Sequence, residues 1–393
     1  MFDLYAKAAV SHLHVSARSR DAAESVFRRE DFSAAIAEIT AWEAYRPTPL
    51  HSLRGLSQAL GLAQVVYKDE GPRFGLGSFK ALGGPYAAAR VLQREVARIS
   101  GGPVAMADIR YGRHARYASK VTLACATDGN HGRSVAWGAQ RLGTRCRIYI
   151  HAGVSEGRAR AMRAFGAELV RIEGDYDDAV RLVREDAEIN GWHLVSDTSW
   201  QGYTQTPRDV MAGYGVMSHE INEELRQAPT HVVLQGGVGG LAASVCASMR
   251  QRWGDRAPRV IVVEPERAAC LYASAGAGEL RSVVIEEETI MAGLSCGEPS
   301  ALAWSILRDE VTDYITIPDS LIAPGMRMLA HPTRGDPPIA AGESGIAGLV
   351  AAVVIASNPI LRSTFGFDRG SRVLLIGSEG ITDPEIYAQI MAG

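Results

Sequence analysis

Short runs of apolar and β-branched residues recur along the chain, separated by stretches whose apolar positions return every three or four residues. AQVVYK (63–68), VTLACAT (121–127), RCRIYI (145–150), ELVRIEG (168–174), HVVLQGG (231–237), RVIVVEP (259–265) and VLLIGSEG (373–380) predict strands. His131–Leu142, Ser155–Phe165, Tyr176–Asn190 and Leu241–Trp253 predict helices. This alternation predicts parallel sheets with helices on both faces, an α/β fold. The rhythm breaks at 101–118 and again at 196–207, and about four strands fit between the breaks. The simplest division is a smaller α/β domain, 86–204, inserted in a larger one made of 1–85 and 205–393. In open α/β sheets ligands lie beyond the carboxyl ends of strands. Chemistry is therefore to be sought where strands run into loops.

Composition narrows the classes. With 393 residues, 47% hydrophobic and 22% charged, the chain suits a soluble globular protein of more than one domain. A net charge of -3 and a pI near 6.4 speak against an electrostatic nucleic-acid binder. Arg110, Arg113, His114, Arg116 and Lys120 cluster, but within what reads as an exposed loop with a solvated basic face. The five cysteines are scattered, odd in number and without a CxxC pair, which reads as small core residues in a reducing compartment. No stretch approaches the roughly 20 apolar residues of a membrane span, and no signal peptide is apparent. The expected location is the cytoplasm. HLH (12–14) and HAG (151–153) lack further ligands at suitable spacing, so no metal is expected.

Four strand-end segments, one helix start and one lysine loop carry candidate chemistry. In QGGVGGLAAS, Gly236, Gly237, Val238, Gly239 and Gly240 follow a strand and open a helix. Glycines let backbone N–H groups approach an anion, so phosphate binding is favoured over a mere tight turn. Neither the P-loop nor the GxGxxG pattern is present. In ATDGNHGRSVAWGA, Asp128, Gly129 and Asn130 turn from strand to helix and offer N–H groups to a carboxylate, although a cap or turn is the bland alternative. Asp197 in SDTSW stands evenly between a cap and a catalytic carboxylate. Ser378 in LLIGSEG reads locally as a turn residue, and Ser344 in GESGIAGL as a helix cap. In GLGSFKALGGPY, Lys80 lies among glycines and directly after Phe79. A lysine desolvated there becomes nucleophilic. Together with a distant phosphate loop it suits pyridoxal phosphate, whose aldehyde a lysine holds as a Schiff base.

SFK, DGNHG, GGVGG and GSEG, in this order over nearly the whole chain, resemble the fold type II pyridoxal-phosphate enzymes, the tryptophan synthase β-subunit superfamily. GLGSFKALGG, ATDGNHGRSVAW, SDTSWQGY, MAGLSCGEPS and GESG resemble the diaminopropionate ammonia-lyases in particular. The resemblance implies two open, twisted, mostly parallel sheets with the active site in the cleft between domains. It implies that Lys80 anchors the cofactor beside Phe79, Asn130 bonds its phenolic oxygen, Gly236–Gly240 hold its phosphate and Ser378 faces its ring nitrogen. Asp128 and Asp197 are implied as bases on opposite faces of the substrate, with Ser78, Thr127, Gly129 and His131 around it. The implied reaction releases ammonia from D- or L-2,3-diaminopropionate and ends in pyruvate and a second ammonia. A serine/threonine dehydratase, a lyase for another β-substituted alanine, and a silent cofactor- or amino-acid-binding protein are the alternatives. A homodimer is the implied assembly. His331 stands where an asparagine is more usual in the family, and Pro337-Pro338 stiffen the same segment. The preferred β-substituent stays open on that account.

Overall fold

The computed structural model of the chain describes residues 2–16 and 22–393. It divides into two compact units: Met1–Val26, Pro47–Ser78 and Met217–Gly393 form the first, and Phe27–Arg46 with Phe79–Val216 the second.

The first unit is built on a seven-stranded sheet. Its strands are β1 (His12–His14), β2 (Leu50–Ser52), β3 (Gln64–Asp69), β8 (His231–Gln235), β9 (Arg259–Pro265), β10 (Asp313–Ile317) and β11 (Arg372–Gly377). In the order β1-β10-β9-β8-β11-β3-β2, the five inner strands are parallel and both edge strands antiparallel. The helix Ala347–Ser357 is apolar on every side because it is buried from Ala347 to Ala356. Each aliphatic side chain so buried is worth about 1.5–3 kcal/mol.

The second unit holds a four-stranded parallel sheet of β4 (Thr122–Ala126), β5 (Arg145–His151), β6 (Glu168–Ile172) and β7 (His193–Leu194), in the order β6-β5-β4-β7. The helix Lys80–Ser100 packs closely on its neighbours along a seam of glycines. A methyl on Gly83 would lie 2.6 Å from the Val210 carbonyl oxygen, and one on Gly84 only 2.2 Å from Ser134 Oγ. From the partner helices, a methyl on Gly213 would meet the Leu82 carbonyl at 2.7 Å and one on Gly138 the Pro85 Cα at 2.7 Å. The second glycine pair after Lys80 thus serves helix packing, not desolvation of the lysine.

All seven expected strands are present, as are the four expected helices, with Tyr176–Asn190 matching end to end. The unit borders fall elsewhere than at 85 and 205. Helix Lys80–Ser100 is continuous from Lys80, so its glycine seam draws residues 79–85 and 205–216 into the second unit. Residues 27–46 join it too: Trp42 meets Trp137 edge-on at 5.9 Å, and Arg110 bonds Glu38 at 2.6 Å. Residues 106–118, expected as a loop, contain the short helices Met106–Arg110 and Ala115–Ala118. Their basic residues are largely engaged: Arg110 with Glu38, Arg113 with Asp108, and Arg116 over the Tyr117 ring at 4.6 Å. HLH (12–14) is β1, and His14 pairs with Asp313. Among the described residues no single helix is long and apolar enough to cross a membrane.

Candidate active site

In the second unit the site begins at Lys80, the first residue of its helix. Its ammonium nitrogen lies 5.2 Å from the Phe79 ring centroid and 6.0 Å from that of Tyr214, and these two rings sit 4.6 Å apart. Lys80 Nζ donates to Asp197 Oδ2. Asp197, 7% exposed, follows the end of β7. Burial pushes its carboxyl up, but the neighbouring His131 and Lys80 outweigh burial and hold it below the ordinary carboxylate range. Asp197 is therefore the ionised partner of the lysine rather than a helix cap.

His131, on the helix Asn130–Leu142, ties two loops together. Its Nε2 meets the Val195 carbonyl at 2.6 Å, and Nδ1 lies 3.9 Å from Asp197 Oδ2. A carbonyl only accepts, so Nε2 carries the proton. Burial pushes the imidazole below its ordinary value, against the pull of the Asp197 carboxylate. His131 is 4% exposed and acts as a brace between the 127–131 and 195–197 loops. Thr127 Oγ1 accepts the N–H groups of Gly129 and Gly132, each at 3.0 Å, so this side chain shapes the turn. Gly129 is the residue before the helix and Asn130 its half-buried first residue. Asp128 Oδ1 takes a hydrogen bond from His151 at 3.0 Å. β4 and β7 are neighbours in the sheet, so Asp128 and Asp197 both lie beyond the carboxyl ends of adjacent parallel strands.

In the first unit, the glycine loop follows β8 and Ser378 follows β11, again neighbouring parallel strands. Gly237 and Gly239 have φ of 60° and 94°, the left-handed region that glycine enters without strain. Gly236 rests on Glu264, whose Cγ would be 2.5 Å from an added methyl. The helix Gly240–Trp253 then begins, and its first N–H groups have no intrahelical acceptor. Val238, 8% exposed, is fastened by its carbonyl to the Ser300 N–H at 2.9 Å. Ser378 is 4% exposed. Gln235 braces the floor, donating to the carbonyls of Ile376 at 2.7 Å and Gly345 at 3.0 Å. GESG and GSEG prove to be packing partners: Glu379 Oε1 accepts the Ser344 N–H at 3.0 Å, and a methyl on Gly345 would lie 2.4 Å from the Glu379 carbonyl. Ser344 Oγ accepts from the Gly293 N–H at 3.0 Å, so it does not cap the helix that starts at Ala347. Ser78, 2% exposed, bridges to Glu379, and the Gly380 N–H donates to Gly77 at 2.9 Å.

A feature without any sequence signal lies beneath the loop that leads to Lys80. Arg73, 1% exposed, bonds Glu70 twice at 2.8 Å and Glu220 twice at 2.7 Å. Lys68 adds a contact of 2.7 Å to Glu220 and another to the Thr48 carbonyl. Next to Arg73, Phe74 takes φ 51°, the one positive value at a non-glycine among the described residues. The network grips the base of the segment 73–78 while its backbone turns sharply.

Each unit carries groups of the kind pyridoxal phosphate takes: in the second an amine flanked by aromatic rings, in the first a glycine-rich helix start suited to an anion and a buried neutral hydroxyl. Among the described residues no cluster suited to a metal ion occurs.

Comparison with known proteins agrees. Residues 41–377 match the family described as pyridoxal-phosphate dependent enzyme. The diaminopropionate ammonia-lyase of Escherichia coli K12 is 39% identical over 353 residues, covering 88% of this chain and 87% of that protein. The crystal structure of the Escherichia coli diaminopropionate ammonia lyase in complex with an aminoacrylate-PLP azomethine reaction intermediate superposes with a TM-score of 0.87 at 35% identity, covering 98% of this chain and 97% of that one. The same enzyme in complex with D-serine gives 0.86 at 34%, over 98% and 97%. By family match, identity and fold, the chain belongs to the pyridoxal-phosphate dependent enzymes of fold type II and, within them, to the diaminopropionate ammonia-lyases.

Proposed function

We propose that this chain is a carbon–nitrogen lyase that converts D- or L-2,3-diaminopropionate and water into pyruvate and two molecules of ammonia. The observation that carries the reading is the pair of aspartates beyond the ends of β4 and β7, one of them bonded to Lys80. Dehydratases of this fold commonly carry serine or threonine where Asp128 stands, and a second carboxylate suits a substrate that brings an extra ammonium group.

Pyridoxal phosphate, when bound, supplies an electron sink for the substrate's α-carbon. Lys80 would be its covalent anchor; Gly236–Gly240 would hold its phosphate, Ser378 would serve its ring nitrogen, Asn130 its phenolic oxygen, and Phe79 would lie beside it. Ser378 brings no charge, so it would leave the ring nitrogen largely unprotonated, a state that favours elimination over transamination. Asp197, kept ionised, takes a proton passed through Lys80 or from the substrate on that face. Asp128 takes the α-proton of the opposite hand. Both carboxylates attract the β-ammonium, the form in which ammonia leaves readily. Ser78, Thr127, Gly129 and His131 shape the site around the substrate, with Thr127 and His131 acting on the backbone of the 127–131 turn. The cytoplasm and a homodimer are the proposed setting.

The test is pyruvate release from D- and L-2,3-diaminopropionate beside D- and L-serine and L-threonine. Faster turnover of diaminopropionate supports the lyase. Faster turnover of serine or threonine replaces it with a dehydratase.

A further inference from the structure

We infer that His151 is the positioning residue of Asp128, aiming that carboxylate at one hand of the substrate. The inference rests on the reading of Asp128 as a base. HAG (151–153) carried no chemistry as a metal motif, and the sheet shows what it does instead. β4 and β5 are parallel neighbours, with Ala126 opposite Tyr149 and the Thr127 N–H bonded to the Tyr149 carbonyl at 3.1 Å. Two residues further on, past the end of β4 and at the last residue of β5, the same register sets Asp128 opposite His151. Their side chains, 20% and 12% exposed, meet at 3.0 Å between Oδ1 and Nε2.

The histidine's proton is fixed by its other nitrogen. The Gly153 N–H donates to Nδ1 at 3.2 Å, so Nδ1 is an acceptor and Nε2 carries the hydrogen that Asp128 receives. Gly153 follows β5 in the turn to Ser155, whose side chain caps the helix Glu156–Arg163, so the donor is anchored from both sides. The arrangement runs from a backbone N–H through an imidazole to a carboxylate. It commits Oδ1 to His151 and so fixes the orientation of the carboxylate. A hydrogen bond to the charged form also favours the carboxylate, the form a base must hold before it acts. Asp197 has no such relay: its partner is Lys80 itself. The two bases are thus oriented by different means, one by the reacting lysine and the other by a histidine outside the reaction.

The experiment compares holoenzymes carrying Asp128→Asn, His151→Leu, His151→Gln and the double change Asp128→Asn/His151→Leu. Steady-state kinetics are measured on both enantiomers of 2,3-diaminopropionate, with and without α-deuterium. His151→Leu is expected to lower kcat about tenfold to a hundredfold for the hand that Asp128→Asn cripples. KM should change little, the deuterium effect should grow, and the other hand should be nearly untouched. His151→Gln, whose amide nitrogen reaches the place of Nε2, should recover most of the loss. His151→Leu should add nothing in the Asp128→Asn background. Equal losses for both hands, or losses that add in the double variant, overturn the assignment of His151. An Asp128→Asn enzyme that treats both hands alike removes Asp128 as a base and takes the proposal with it, an outcome distinct from failure of His151 alone. Should His151→Leu not fold, His151→Asn, too short to reach Oδ1, takes its place with the same expectations.

Discussion

Arg73→Met is the sharpest perturbation of the buried ion group under the Lys80 loop. Methionine keeps the length of the side chain and takes away four bonds to carboxylate oxygens, at 2.7–2.8 Å. Glu70 is wholly buried and Glu220 is 5% exposed, so neither carboxylate gains water in compensation. Removing one partner of a buried ion pair costs about 3–5 kcal/mol, which for a unit of this size lowers Tm on the order of 10 °C. The loss has a pH signature. Burial pushes Glu220 up, yet its bonds and charge contacts with Arg73, then Lys68, pull it below its ordinary value. A carboxylate depressed in the folded state stabilises the fold above its unfolded pKa of about 4.3, and that stabilisation fades as pH falls through the folded value. The gap between wild type and Arg73→Met should therefore be widest near neutrality and narrow in acid below about pH 4. Calorimetry across pH measures it, and a pyridoxal-phosphate titration followed by absorbance should show weaker cofactor binding. A gap that stays constant with pH, or a Tm that does not move, refutes the argument that these charges act as one group.

Other outcomes follow from single contacts. Asp197→Asn leaves Lys80 without its charged partner and should cut turnover of 2,3-diaminopropionate by roughly 10²–10⁴; turnover within a few-fold of wild type would remove Asp197 from proton transfer. Gly84→Ala puts a methyl 2.2 Å from Ser134 Oγ and should cost about 1–3 kcal/mol of stability in a melt, most of it regained by adding Ser134→Gly. If Ser134→Gly regains nothing, the seam is not what constrains that glycine. Gly236→Ala, driven against Glu264 at 2.5 Å, should weaken cofactor affinity about tenfold by equilibrium titration, with the unit's melting nearly unchanged.

Much of this was legible in the chain because parallel strands buried on both faces leave dense apolar runs, and β3, β4, β8, β9 and β11 are of that kind, while β5 is partly buried and β6, at a sheet edge, shows only its aliphatic centre. β1, β2 and β7 are two or three residues long, too short to show a period. β10, DYITI, has its run interrupted by Asp313 and Thr316, both buried, and Asp313 is satisfied by Arg259 and His14. Lys80, Asp128 and Asp197 stood out because strand-end loops that break toward glycine and aspartate are unusual as a set. Their partners did not. Lys80 meets Asp197 across 117 residues, Asp128 meets His151 through strand register, and Arg73 meets Glu220 across 147 residues. Pairings of that range are decided by topology, and no local pattern in one sequence announces them. Tyr214 was missed for the same reason, as an aromatic on a helix whose neighbour at Lys80 only folding supplies.

The glycine seam along the helix Lys80–Ser100 bears on how motion is distributed during turnover. In the proposed role of cofactor anchor, Lys80 would need an amine that travels and an α-carbon that stays. Backbone meets backbone at Gly83, Gly138 and Gly213, and Gly84 rests on the short Ser134 side chain, which leaves few rotamers to rearrange under load. The compliance is thereby confined to four methylenes, the stem of Lys80 itself. The helix serves as a fixed mount and the side chain as the moving arm. A methyl added anywhere along the seam displaces the mount, and the arm carries that displacement to its tip.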